Sequence, residues 1–391
     1  MKLMNRLFVF ILLIKLISVY PVFAMQNNFS DVLDMRGYIK ELGGLQFDRN
    51  FSDPAFSNII HNRLNISFDA SSNIQFSLEG RNRIIYNEMF KVYPGIGELL
   101  SNDDGLVDMS HVWMTEGSWI GHSEIDRLYM DWSMDNWQVR VGRQRINWGI
   151  NLVSNPNDLF NTYSFFDFDY PERPGADAVR VQYFIDHLSR LQLAVSPSKD
   201  KKDMVAAAMF NFNWLNNDWQ TLAGYFKDRM ALGMGWAASI RGAGFKGEAT
   251  WFYDVEKTEG MKRGNIVAAA GFDYVFPGGT FAVVEFLYNG GYGRRPVDVF
   301  MITEPLRADN IMFSKYAATL SAQHSFSPVL QGGVSVMVLP DIEAGFMMPS
   351  MNYSLLRDLD LEFTGQIFLG GGGTIFEEAG SALYLSLQYS F

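Results

Sequence analysis

Apolar and polar residues alternate along most of the chain in segments of about ten, each closed by turn residues. The closing segment is the clearest. Phe391, Tyr389, Leu387, Leu385 and Leu383 are apolar, and Ser390, Gln388, Ser386, Tyr384 and Ala382 stand between them. A strand sends alternate side chains to opposite faces, so this segment has one greasy face and one wet face. The same reading gives strands at Leu33–Leu42, Ile59–Ala70, Asn73–Asn87, Ser123–Ser133, Asn136–Asn147, Asp177–Ile185 and Ser189–Pro197. It continues through Met204–Trp214, Trp219–Asp228, Ala231–Arg241, Gly244–Val255, Asn265–Phe276, Thr280–Asn289, Met312–Gln323, Pro328–Leu339, Glu343–Leu356, Leu359–Leu369 and Ser381–Phe391.

The connections alternate too. Counted from the N-terminus, the odd ones include every long one, and the even ones are nearly all short. Short turns on one side and long loops on the other fit an all-β fold: a single transmembrane antiparallel β-barrel of about 18 strands, with 16 the alternative count. An edge strand of a soluble sheet is the competing reading of the last segment, but an exposed apolar edge invites aggregation. In a barrel this strand must pair with the first one, because closure removes the edges that lipid cannot satisfy. Its terminal Phe391 resembles the closing strand of bacterial outer-membrane β-barrels, and that resemblance implies recognition by the barrel-insertion machinery.

Composition agrees with this. Aromatics make up 15% of the 391 residues, there are 35 Gly and no Cys, and the formal charge is -11. Mean hydropathy is -0.03, too polar for a helical membrane protein. No apolar run of 18 residues occurs beyond the N-terminus, and the net acidity argues against a nucleic-acid partner. Residues 1–24 read as a signal peptide: a charged start with Lys2 and Arg6, an apolar stretch, and small residues before the cut after Ala24. Residues 25–391 then form the barrel, in the outer membrane of a Gram-negative bacterium among its lipid and lipopolysaccharide.

With the apolar parity facing lipid, the polar parity of the first six strands faces the lumen. It carries Arg36, Lys40, Arg63, Glu79, Arg81, Arg83, Arg127, Asp131, Arg140, Gln144 and Arg180. An isolated buried ion costs several kcal/mol, so this wall is either wet or ion-paired. The paired reading gives a salt-bridged wall. The wet one gives a basic track for anions, since rings of Arg and Lys line anion-selective pores. Small residues such as Ala206–Ala208 and Ala237-Ala238 leave the faces of the middle strands open, and on the lumen side they would make room for a folded-in loop.

The third long connection is the densest stretch: Gly142-Arg143-Gln144, Trp148-Gly149, Asn155-Pro156-Asn157-Asp158, Phe165-Phe166, Phe168, Tyr170 and Pro174-Gly175. Here the chain resembles a group of porin-like outer-membrane proteins that share a G-R-Q-x-x-x-W-G stretch, then N-P-x-D, then P-G. The Gly-Arg-Gln portion looks like alginate-export and phosphate-selective porins. The resemblance covers this stretch alone and implies a porin-like barrel, not a substrate. The residues also have jobs of their own. Gly142 suits a close backbone approach, and Asn155-Pro156 and Pro174-Gly175 bend the chain. The aromatics are too apolar for a solvated loop, so the loop is expected to fold into the lumen. Arg143, Arg145, Trp148, Asp158 and Arg173 are its constriction candidates, with the arginines paired to Asp158, Asp167, Asp169 or Glu172.

Enzyme chemistry has little support. His61, His111, His122, His187 and His324 lie in no catalytic context. His111 and His122 with Asp103, Asp104 and Asp108 read as solvated loop residues rather than a metal site. No cofactor is implied. The expected function is a channel for passive diffusion of small polar or anionic solutes; the alternative is a plugged or partner-dependent barrel for polymer export, adhesion or envelope assembly.

Overall fold

In the computed structural model the alternating segments form one antiparallel sheet that closes on itself. The structure describes residues 32–48, 54–91, 103, 105–170, 172–256, 263–294, 306–371 and 374–391; the expected signal peptide lies outside them. The first strands are β1 (Leu33–Phe47), β2 (Ala55–Ser71), β3 (Ile74–Asn87), β4 (Ser110–Glu116), β5 (Trp119–Met134), β6 (Trp137–Gln144), β7 (Ala176–Phe184), β8 (Arg190–Ser196) and β9 (Val205–Trp214). The rest are β10 (Asn217–Phe226), β11 (Arg229–Ile240), β12 (Ala243–Asp254), β13 (Gly264–Val275), β14 (Phe281–Asn289), β15 (Tyr316–Ser327), β16 (Leu330–Leu339), β17 (Ala344–Leu356), β18 (Leu359–Gly370) and β19 (Ser381–Ser390).

Each strand pairs with its neighbours in sequence, with one exception. β3 skips β4 and pairs with β5, and β4 pairs with β5 alone. The ring therefore has 18 strands, and β4 is a flap hydrogen-bonded to the upper part of β5. The sequence reading ran β4 and the start of β5 into one loop. β1 closes the ring against β19, with Ile39 opposite Tyr389 and Leu45 opposite Leu383. Gly37 and Phe391 exchange both backbone hydrogen bonds at the seam, 2.9 Å each way.

The short turns follow from backbone chemistry. Leu215-Asn216, Lys227-Asp228 and Arg241-Gly242 each put two successive residues at positive φ, the twist that matches adjacent antiparallel strands. The outward parity is a continuous apolar surface: Phe68, Phe76, Leu128, Val141, Val179, Leu193, Leu232 and Leu385 are all exposed. A soluble protein does not expose such a band, and a lipid-facing barrel requires one. No helix among the described residues is long and apolar enough to cross a membrane.

Gly142 has φ +119, and a Cβ there would collide with the Leu128 carbonyl oxygen. The close approach expected of it is made to β5. On β5 itself the register shifts between Glu79 and Gly80, leaving Asp126 as an extra residue between Ile125 and Arg127. This bulge turns two successive side chains, Asp126 and Arg127, into buried positions.

Candidate functional site: an inner belt formed by the third loop

The connection between β6 and β7 does not stand above the barrel. It runs around the inside of the wall, and its contacts follow the ring. The Trp148 indole Nε1 donates to Gln192 on β8 (3.3 Å), and Gln220 on β10 donates to the Trp148 carbonyl (2.8 Å). Glu248 on β12 accepts the backbone N–H groups of Ile150, Asn151 (2.7 Å) and Asn157 (2.9 Å). Glu285 on β14 accepts those of Val153 (3.2 Å) and Ser154 (2.7 Å). Phe166 then packs among Phe346, Phe368, Phe313 and Phe376, with ring centroids 4.9–5.9 Å away, and Gln366 on β18 donates to its carbonyl (2.7 Å). Phe168 meets Tyr384 on β19. Asp169 pairs with Lys40 on β1 (2.7 Å). Tyr170 donates to Asp126 on β5, and the Arg81 guanidinium of β3 lies 3.7 Å from its ring centroid. Arg127 closes the circuit by donating to the carbonyls of Glu172 and Arg173 (2.8 and 2.7 Å).

Lengths are consistent with a full turn. Strands about 4.8 Å apart and tilted by about 40° give an 18-strand backbone perimeter on the order of 110 Å. Residues 145–175, extended, reach about 100 Å, enough for the smaller circle just inside the wall. The wall makes space where the belt passes. A Cβ at Gly233 would come 2.8 Å from the Asn157 side chain, and one at Gly235 would come 2.9 Å from Ile150. These two glycines are small inward residues on β11, where the sequence pattern leaves the faces open.

The charged candidates lie mostly on the arc from β1 to β7, and most are paired. Arg63, almost fully buried, bridges Asp126 and Glu79 (2.7 Å to the latter), with Glu172 at 3.6 Å. Arg81 pairs with Glu124 (3.0 Å) and Arg140 with Asp131 (2.6 Å). Arg36 is exposed at the open end of β1 and pairs with Asp34 (3.0 Å). Gln144 is fully buried, and its amide donates to the Ala178 and Arg140 carbonyls, which ties it to the wall. Arg83 contacts the buried His122 ring (3.0 Å) and reaches Glu124 only at 3.8 Å. His122 is therefore a wall residue rather than part of a solvated loop. No group of three His, Cys, Asp or Glu among the described residues could hold a metal.

Three expectations about the loop change. Arg143 does not point into the constriction. Its cross-strand partners are Leu128 and Asp177, so it shares the outward face of Leu128. There it pairs with Asp177 and Asp103 (2.7 Å each) and donates to the Val107 carbonyl (2.6 Å), anchoring the chain before β4. The belt's carboxylates are not paired to the belt's arginines either: Asp169 and Glu172 go to Lys40 and Arg63. Arg173 instead sits at positive φ (60°) with its guanidinium 3.1 Å from the Tyr163 ring centroid. Finally, Asp158 is buried, and neither of its carboxyl oxygens makes a well-formed hydrogen bond. Burial, then the nearby Glu248, pushes its carboxyl up to about 8. Burial and Asp169 push Asp167 up to about 6.

Asp126, Glu248 and Glu285 were missed. Asp126 is hidden by the bulge, which breaks the two-residue period. Glu248 and Glu285 are acids set among apolar and small residues in strands whose faces the alternation did not settle. An acid isolated in such a strand is the signal that would have found them.

Comparison with solved structures gives the same architecture at very low sequence identity. OccK5 (OpdH) of Pseudomonas aeruginosa superposes with a TM-score of 0.59 at 9% identity, over 93% of this chain and 99% of that one. OccAB1 of Acinetobacter baumannii gives 0.57 at 9%, over 94% and 99%. OmpF of Salmonella typhi, in complex with daunomycin, gives 0.50 at 10%, over 92% and 97%. No protein-family model and no curated protein sequence matches the chain. What these structures share with it is a porin-like β-barrel.

Proposed function

We propose that this barrel is a porin-like channel in the outer membrane of a Gram-negative bacterium, through which small polar or anionic solutes diffuse passively. The observation that carries the reading is the belt. A third loop that hugs the inner wall around the ring narrows a barrel without spanning it, as a size filter requires. The solutes are selected by what the belt leaves uncovered.

Anion preference rests on a few cations only. Arg140 and Arg180 lie directly opposite each other on β6 and β7. Like charges so placed destabilise a sheet unless something compensates. Asp131 serves Arg140, and among the described residues no carboxylate lies within ion-pair distance of Arg180, whose Nε has no partner there. Arg190 on β8 donates to the Asn211 amide oxygen (3.2 Å). These residues sit near the short-turn end, which in this reading faces the periplasm. A solute carboxylate or phosphate would supply the missing counter-charge, and the arginine fork fits either bidentately. The paired arginines Arg63 and Arg81 frame the channel instead of drawing ions through it.

Planar-bilayer recording of the purified protein in a tenfold salt gradient tests the proposal. Steady conductance with a reversal potential on the anion side is expected. Absence of conductance would favour the plugged barrel serving export, adhesion or assembly.

A further inference from the structure

Three buried carboxyl groups meet where the first half of the belt lies against β12 and β14. Glu248 and Glu285 are 1% and 3% exposed, and backbone N–H groups of the belt satisfy both. Asp158 is 1% exposed, with no well-formed hydrogen bond on either oxygen and the Trp148 backbone N–H as the donor turned toward it. The charged and titratable groups around it are Glu248 from β12, and Arg145, Arg173 and Tyr163 from the belt itself. Neither guanidinium comes within ion-pair distance: Arg173 is stacked on Tyr163, and the Arg145 Nε has no partner. From the far side, Ile311 and Met312 line the cavity. The cavity beside the carboxyl is about 10 Å³. That is roughly the room one water needs, and too little for a hydrated cation. An isolated carboxylate in such a place costs several kcal/mol, so the group keeps its proton instead.

We infer that Asp158 is a proton-held latch: its neutral acid form keeps the first half of the belt against the wall, and ionisation releases that half into the bore. The inference rests on the channel reading for its consequence but not for its mechanism. The folded-state carboxyl, near 8, lies above the ordinary carboxyl value of about 3.9. Docking is therefore strongest below the ordinary value, weakens about tenfold per pH unit as the pH climbs between the two, and levels off above about 8. The freed segment has only the bore to move into, so alkaline conditions promote closures and acid ones suppress them.

The test is amide hydrogen exchange at Ile150, Asn151, Val153, Ser154 and Asn157 from pH 6 to 10, comparing wild type with Asp158→Asn at each pH so that the intrinsic pH dependence cancels. Asparagine matches the neutral acid in shape and cannot ionise. Wild-type protection should fall about tenfold relative to the variant for each pH unit up to about 8 and level off above it. Identical profiles in the two proteins would overturn the latch. So would a wild-type profile that loses its pH dependence on Glu248→Gln while Asp158→Asn keeps it. Circular dichroism confirms that each variant retains the barrel. In bilayers, wild type should spend more time closed at pH 9 than at pH 7, and Asp158→Asn should not. Silence at every pH would count against the channel and leave the exchange profiles to decide the latch.

Discussion

The belt is held in two different ways on the two sides of the barrel. Along β8 to β18 it docks through its backbone, onto Glu248 and Glu285, and through Phe166 in an aromatic cluster. From β1 to β5 it docks through charge: Asp169 to Lys40, Glu172 towards Arg63, and its last carbonyls to Arg127. The first side accommodates a neutral chain in a nearly dry interior, where every N–H must find an acceptor. The second is partly wet and uses ions whose partners sit on strands and loop alike. One loop thus needs two chemistries because the wall it crosses has two.

The sharpest break of that contrast is Phe166→Ala. The ring is fully buried among four others, so its loss should cost about 3–5 kcal/mol in urea unfolding. On the charged side, Arg63→Ala should cost about 3 kcal/mol, because it takes the closest cation from the buried Asp126 and leaves it Tyr170 and, at 3.7 Å, Arg81. Replacing both partners by apolar residues of similar size should recover most of that loss. A double variant no better than the single one would show that charge pairing is not what holds this side. Glu248→Gln leaves one acceptor for three belt N–H groups, and about 2–3 kcal/mol is expected from the groups orphaned.

Smaller effects sharpen the picture. Deleting Phe391 touches the seam that both sides share. About 1.5–3 kcal/mol of burial is the most it can lose, and its exposure of 40% points to the low end. Membrane levels in cells should fall more than refolding into detergent does, and normal surface levels would refute a role in assembly. The Arg180→Ser, Arg190→Ser pair should leave unfolding nearly unchanged and move the reversal potential toward cations. That shift should shrink as salt rises, since the Debye length falls from about 10 Å at 0.1 M to about 3 Å at 1 M.

The two sides were not equally legible in sequence. Alternation placed every strand of the ring, because a lipid-facing barrel repeats one apolar parity from end to end. It also placed Lys40, Arg63, Arg81 and Arg140 on the polar parity, where the charges themselves mark the face. On the other side, Ala206–Ala208 and Ala237-Ala238 fit either face, so the face that receives the belt was unreadable and Glu248 and Glu285 went unnoticed. Arg143 misled for a different reason. It lies in the motif that opens the loop, yet its strand position places it outside, where its partner Asp103 comes from a different connection. The aromatic run Phe165 to Tyr170 announced a buried loop, but its circuit depends on contacts with distant strands, such as Phe166 with Gln366 and Phe168 with Tyr384.

The account stands or falls on the belt as the element that sets the bore. Replacing residues 150–170 with a short glycine-serine linker removes it while leaving every strand of the ring intact. Single-channel conductance of this variant should be several-fold that of wild type, with little remaining anion preference beyond that of Arg140, Arg180 and Arg190. A variant that folds and inserts but conducts as wild type does, or not at all, would contradict it.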